Sequence, residues 1–147
     1  MARYVVHVRS SKSPAEAFAY MADLTNFAKW DPGVLKVTQV KGSGAGPDSE
    51  FDVSVKSIGG STTLRYRIIS FDSPGSVVAQ ARNRFLSSLD TITVRADGDG
   101  SIVTYDAALT LNGPLGLADP LLAPAFKKIG DSAAAGLVKA LDGTRID

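Results

Sequence analysis

At 147 residues the chain is long enough to bury a core of its own as one domain, residues 1–147. A net charge of +1 gives no electrostatic case for nucleic acid or an anionic membrane, and the lack of cysteine excludes disulfides, thiol catalysis and cysteine–metal sites. The opening MARYVVHVRSS is too short and polar for a secretory signal, and no run reaches membrane-spanning length, so a soluble cytoplasmic protein is expected.

From Arg3 to Arg9 the chain alternates, with Tyr4, Val6 and Val8 on one side and Arg3, Val5, His7 and Arg9 on the other, which predicts a half-buried strand. Ser13-Pro14 opens a helix with Ser13 as cap and Glu16 in its first turn; Ala17, Phe18, Met21 and Ala22 form its apolar face. A second short turn of helix over Thr25–Lys29 ends at Trp30-Asp31-Pro32-Gly33. From Val34 the period becomes two. Strands are predicted over Val34–Val40, around Phe51–Val55, around Leu64–Ile68, around Val77–Ala81, over Ser88–Arg95 and over Val103–Leu111. Gly59-Gly60, Ser73-Pro74-Gly75 and Asp97-Gly98-Asp99-Gly100 mark the turns.

The C-terminal stretch Pro120–Leu141 returns to helical period. Apolar residues recur at Leu122, Phe126, Ile129, Ala133, Leu137 and Leu141, with Asp119 as N-cap and Gly143 as the stop. Such a helix is about 30 Å long. The order is one strand, two short helices, six strands and a long helix. Hairpin links and segregated helices imply an α+β fold: an antiparallel sheet of six to seven strands, curled around the last helix. A sheet curled round one helix leaves room for a ligand cavity between them.

This order, with Ser13-Pro14-Ala15-Glu16-Ala17-Phe18, Ala22-Asp23-Leu24, Trp30-Asp31-Pro32-Gly33-Val34, Thr104-Tyr105, Leu109–Gly113 and Asp119-Pro120-Leu121-Leu122, resembles the helix-grip fold of the START/Bet v 1-like (SRPBCC) superfamily. Within it the chain looks most like the bacterial polyketide cyclase/dehydrase and lipid-transport-like proteins. The resemblance covers essentially the whole chain. It implies a domain that binds a small hydrophobic ligand, lipid- or polyketide-like, with no cofactor, as a monomer or homodimer. The superfamily also contains cyclases and hydrolases, so fold alone does not choose an activity.

The candidate residues each have two readings. Tyr66 and Tyr105 share parity with apolar neighbours on different strands; their hydroxyls meet a ligand, or they are core tyrosines with protein partners. Trp30 stacks on a ligand ring, or plugs the gap between the short helices and the sheet while Asp31 caps a turn, the latter being favoured. Phe126, Ile129 and Ala133 supply the helix side of the cavity, and Ala133, Ala134 and Ala135 are small enough to leave space there. His7, the sole histidine, falls on the wet face by parity, and no spacing for a metal site occurs. Superfamily cyclases use a pocket arginine; here Arg65, Arg67 and Arg82 fall mostly on the wet face. Three functions follow from this reading: a binding module for an apolar or aromatic molecule; as the alternative, a cyclase or dehydratase that stabilises an enolate with tyrosine hydroxyls in the same cavity; and a structural or regulatory partner with a filled core.

Overall fold

The structure, a computed structural model, describes the backbone of residues 1–57 and 59–146 and the side chains of these residues except 117–122. The elements are β1 (Ala2–Ser10), α1 (Pro14–Ala22), a 3-10 turn (Leu24–Asn26), α2 (Phe27–Trp30), β2 (Val34–Lys41), β3 (Glu50–Ser57), β4 (Gly60–Asp72), β5 (Ser76–Arg82), β6 (Leu86–Asp97), β7 (Gly100–Leu111), a 3-10 segment (Gly113–Ala118), α3 (Asp119–Ala140) and β8 (Gly143–Ile146). Among the described residues the strands form one antiparallel sheet in the order β2-β3-β4-β5-β6-β7-β1-β8. The fold is the α+β helix grip that the sequence predicts, with one more strand.

The extra strand is β8, which pairs with the start and end of the chain's own logic: its Gly143 lies opposite Ser10 and its Ile146 opposite His7 on β1. The residue that ends α3 in the left-handed region is Asp142, with φ of 49°, in place of the expected Gly143. Gly143 has a different task. A side chain there would run into the backbone of Arg9, so glycine lets β8 close on β1. Ser10 Oγ donates to the carbonyl of Leu141 at 2.6 Å, tying the end of α3 to the same strand.

α1 begins as its sequence dictates. Glu16 N–H donates to Ser13 Oγ at 3.2 Å and Ser13 N–H to Glu16 Oε1 at 3.4 Å, a capping box with Pro14 in the first turn. Its buried face, Ala17, Phe18, Met21 and Ala22, packs on β6 and β7. Phe18 meets Phe71 edge-on at 5.5 Å. Along the strands, inward residues such as Val6, Val8, Phe51, Val53, Ile68 and Val77 are buried while their neighbours are more exposed. Among the described residues no helix is long and apolar enough to cross a membrane.

α3 rests on β1, β8 and α2. Among its described side chains Ala133, Ala134 and Leu137 are buried, as is Leu141 just past its end; Phe126 is partly buried against the core. Two expectations are corrected here. Ile129 is 53% exposed and sits on the outer side of the helix. The inward position in that turn is Gly130, where a Cβ would overlap the ring of Tyr4. Ala135 lies on the exposed side of α3, while Ala133 and Ala134 are buried. Gly130 and Gly136 bring α3 against β1 and α2, and a Cβ on Gly136 would overlap the Trp30 carbonyl. The expected cap at Asp119 and the stripe position Leu122 lie outside the described side chains.

Gly136→Ala therefore tests the close approach. In a free helix this change stabilises by about 1 kcal/mol; here overpacking against Trp30 should reverse the sign and cost roughly 1–3 kcal/mol. Urea midpoints decide, and a stabilised variant would mean that α3 stands further from α2.

Candidate functional site

The site is built on the inner face of β6 and β7. In register across the two strands, Leu86 lies opposite Leu111, Ser88 opposite Leu109, and Asp90 opposite Ala107. Exposure falls along this row. Phe85, just outside β6, is 53% exposed; Leu86, Leu109 and Leu111 are half-buried; Ser88 and Asp90 are buried, Asp90 to 3%. At the open end two connections are stapled together: Asn112 N–H donates to the Phe85 carbonyl at 2.7 Å, and Asn112 Nδ2 donates to the Asn83 carbonyl at 3.0 Å. Leu115, on the second of these connections, is exposed.

At the closed end four polar side chains meet in two pairs. Tyr105 Oη donates to Asp90 Oδ2 at 2.8 Å. Tyr66 Oη and Ser88 Oγ share a hydrogen bond of 2.8 Å. The room for these groups comes from small neighbours: on β5, Ala79 lies opposite Asp90 and Ala81 opposite Ser88. The strand period does the rest, because Ser88, Asp90, Ile92 and Val94 share one face.

α2 covers the tyrosines. Phe27 and Trp30 stack at 4.7 Å. Trp30 meets Tyr105 edge-on at 5.2 Å, and Phe27 lies 6.2 Å from Tyr105 and 6.4 Å from Tyr66. The turn after α2 is held by Asp31, whose Oδ1 accepts from Gly33 N–H at 2.8 Å.

Burial sets the electrostatics. It pushes the Asp90 carboxyl up to about 7; the Tyr105 and Ser88 hydroxyls pull it down, and the carboxyl of Asp31 pushes it further up. Asp31 is itself raised by burial, with the Gly33 amide opposing. Tyr66 and Tyr105 are held well above the ordinary phenol range, first by burial and then by the charge on Asp90. Two weak donors solvate a carboxylate poorly, so the neutral acid is favoured.

Of the residues singled out in sequence, Tyr66, Tyr105 and Trp30 converge on this cluster. Both phenol hydroxyls have protein partners. Phe126 lies partly buried against the core, Ala133 is in the contact of α3 with its neighbours, and Ile129 points away. His7 Nδ1 is 2.8 Å from Thr104 Oγ1 on the outer face, as parity predicts. Arg65, Arg67 and Arg82 are exposed. Ser88 and Asp90 were not singled out, although Ile92 and Val94 share their parity and already mark that face as the inner one. The two open surface grooves, about 450 Å³ on α3 around Lys127 and Asp131 and about 570 Å³ around Arg9 and Asp142, contain none of these inner residues. They lie open on the surface, so the inner row carries more weight as a site. Among the described residues no three His, Asp or Glu side chains group as metal ligands.

The buried carboxyl makes a stability prediction. An unfolded aspartate ionises near 3.9. Between roughly pH 4 and 7 the folded protein holds a proton on Asp90 that the unfolded chain has released, so its contribution is greatest below pH 4 and is lost as pH rises through 7. The full span is on the order of 4 kcal/mol. Asp90→Asn, which keeps an acceptor for Tyr105, should be more stable than wild type at pH 8 and should lose this component. Urea midpoints for both proteins at pH 5 and pH 8 check it; identical pH dependences would mean that Asp90 is hydrated.

Comparison with known proteins bears on the whole chain. The family model described as polyketide cyclase / dehydrase and lipid transport matches residues 1–142. A START superfamily protein from Mycobacterium smegmatis superposes with a TM-score of 0.77 at 11% identity, over 97% of this chain and 98% of that one. Ginseng major latex-like protein 151 from Panax ginseng superposes with a TM-score of 0.70 at 11% identity, over 95% and 97%. The di-domain ARO/CYC StfQ from the steffimycin biosynthetic pathway superposes with a TM-score of 0.67 at 11% identity, over 94% of this chain and 48% of that one. At these identities the solved structures speak for the fold. No curated protein matches the chain in sequence.

Proposed function

The chain belongs to the polyketide cyclase/dehydrase and lipid transport family, and we propose that it holds an apolar or aromatic small molecule, lipid- or polyketide-like, between the inner face of the sheet and α3. One observation carries this reading: the inner row of β6 and β7 runs from half-buried Leu86, Leu109 and Leu111 to a buried pair of hydroxyl–acceptor contacts. An apolar passage with a few polar groups at its end is the usual form of a small-molecule site. The ligand body lies against Leu86, Leu109, Leu111 and Phe126. Its polar end reaches towards Tyr66, Ser88, Asp90 and Tyr105, under Trp30. Ala133 acts indirectly by seating α3. Its place of action on this reading is the cytoplasm.

A tryptophan in the passage tests this. Leu109→Trp should weaken binding of the neutral probe N-phenyl-1-naphthylamine at least tenfold, with stability within about 1 kcal/mol of wild type, because an open passage accepts the ring. If wild type binds no probe and the variant loses the roughly 1–3 kcal/mol of an overpacked core, the interior is filled and the reading fails.

A second reading, a cyclase or dehydratase working in the same cavity, is favoured by one feature. The Asp90 carboxyl, pushed up to about 7 beside two tyrosine hydroxyls, is suited to take and return a proton near neutral pH. On this reading, turnover of a poly-β-keto substrate should rise with an apparent pKa near 7 and be abolished in Asp90→Asn with apolar binding retained.

A further inference from the structure

We infer that the site selects its ligand by a neutral hydroxyl, offered as a hydrogen-bond donor to Asp90 and Ser88, and discriminates against heads that only accept. This rests on the binding reading above and adds the chemistry of the ligand head. The argument is a count of hydrogens. The hydroxyl hydrogen of Tyr105 is committed to Asp90 Oδ2. Tyr66 and Ser88 bring two hydrogens and use one in their mutual bond. The hydrogen left over, that of Ser88, goes to Asp90, so above pH 7, where Asp90 is ionised, Tyr105 and Ser88 fill at most two of the about four acceptor positions of the carboxylate. The cluster is rich in acceptors and poor in donors.

Charge points the same way. Among the described residues, the charges that raise Asp90 include Asp31 and Asp106, and those that raise Tyr66 and Tyr105 include Asp90 and Asp31. All are carboxyls. The arginines of the neighbouring strands lie outside: Arg3 pairs with Asp106 and Arg65 with Asp52 on the outer face, and Arg67 and Arg95 are exposed. A carboxylate head would approach like charges. A carbonyl or ether would add an acceptor to a surplus. A hydroxyl supplies the missing hydrogen, and it is small enough for a floor flanked by Ala79, Ala81 and Ala107. Sites that read a hydroxyl by buried polar groups discriminate strongly against analogues lacking it.

Equilibrium dialysis at pH 8, where Asp90 is ionised, with four ligands of one body tests this: naphthalene, 2-naphthol, 2-methoxynaphthalene and 2-naphthoate. The expected order has 2-naphthol at least tenfold tighter than 2-methoxynaphthalene and naphthalene, with 2-naphthoate weakest. In Asp90→Asn the advantage of 2-naphthol over 2-methoxynaphthalene should shrink to less than threefold. If all four bind wild type within threefold of one another, or 2-naphthoate binds best, the inference is overturned while the binding reading stands. If none binds, both fall. The wild-type series stands without the variant, and Ser88→Ala, expected to reduce the advantage of 2-naphthol without removing it, provides a second perturbation.

Discussion

The close seating of α3 on β1 and α2 is the contact on which the rest of the interior depends. Gly130 against Tyr4 and Gly136 against Trp30 leave no thickness between the helix and its supports. Tyr4 then reaches Asp131 with its hydroxyl, at 2.6 Å, where Lys127 also bonds the carboxylate at 2.8 Å. With α2 pressed inward by α3, Phe27 and Trp30 are driven onto Tyr66 and Tyr105. Those rings in turn present their hydroxyls to Ser88 and Asp90. Two glycines in a helix, each unfavourable by about 1 kcal/mol for helix formation alone, thus determine where a carboxyl ends up relative to its donors. The helix is helical because of its tertiary contacts more than its propensity.

A carboxyl at the centre of this packing works against stability. An apolar residue at position 90, beside Ala79, Ala107 and Ile92, would avoid the desolvation that raises Asp90. The cost is softened by protonation and by Tyr105, yet at neutral pH part of it remains. Fold requirements do not call for a carboxyl here. A group that destabilises the interior, at the end of the inner row of β6 and β7, is best understood through what it does there.

Much of this was legible in the sequence. The strands were read from their period, the capping box from Ser13, Pro14 and Glu16, and the inward aim of Tyr66 and Tyr105 from their parity. The misreadings have physical causes. Stepping from Phe126 to Ile129 followed hydrophobicity, but the inward residue is Gly130, which carries no hydrophobic signal and matters because it is absent as a side chain. The alanines were credited with making space, although small residues on a helix more often allow it to approach. β8 is short, with polar Thr144 and Arg145, and it borrows its structure from the edge of β1, so nothing local announces it. Asp90 was overlooked because a charged residue normally marks a wet position, even though Ile92 and Val94 place it inside.

The distribution of cations shows how strictly the strand period governs the chemistry available to this interior. On β1, β4 and β6, arginines occupy the positions between inward residues, and several meet carboxylates across the outer face: Arg3 with Asp106, Arg65 with Asp52, Arg9 with Asp97. These pairs are largely solvated and add little stability. Their consequence is positional. A slip of one residue on β4 would exchange Tyr66 for Arg65 or Arg67, turning a donor-poor interior into a cationic one. Register is secured against this by the inward run Leu64, Tyr66 and Ile68, and by Phe51 and Val53, paired with Tyr66 and Leu64 on β3. The same alternation that builds the core therefore keeps positive charge out of it on these strands. It also leaves hydroxyls and carboxyls as the polar groups of the Tyr66, Ser88, Asp90 and Tyr105 cluster.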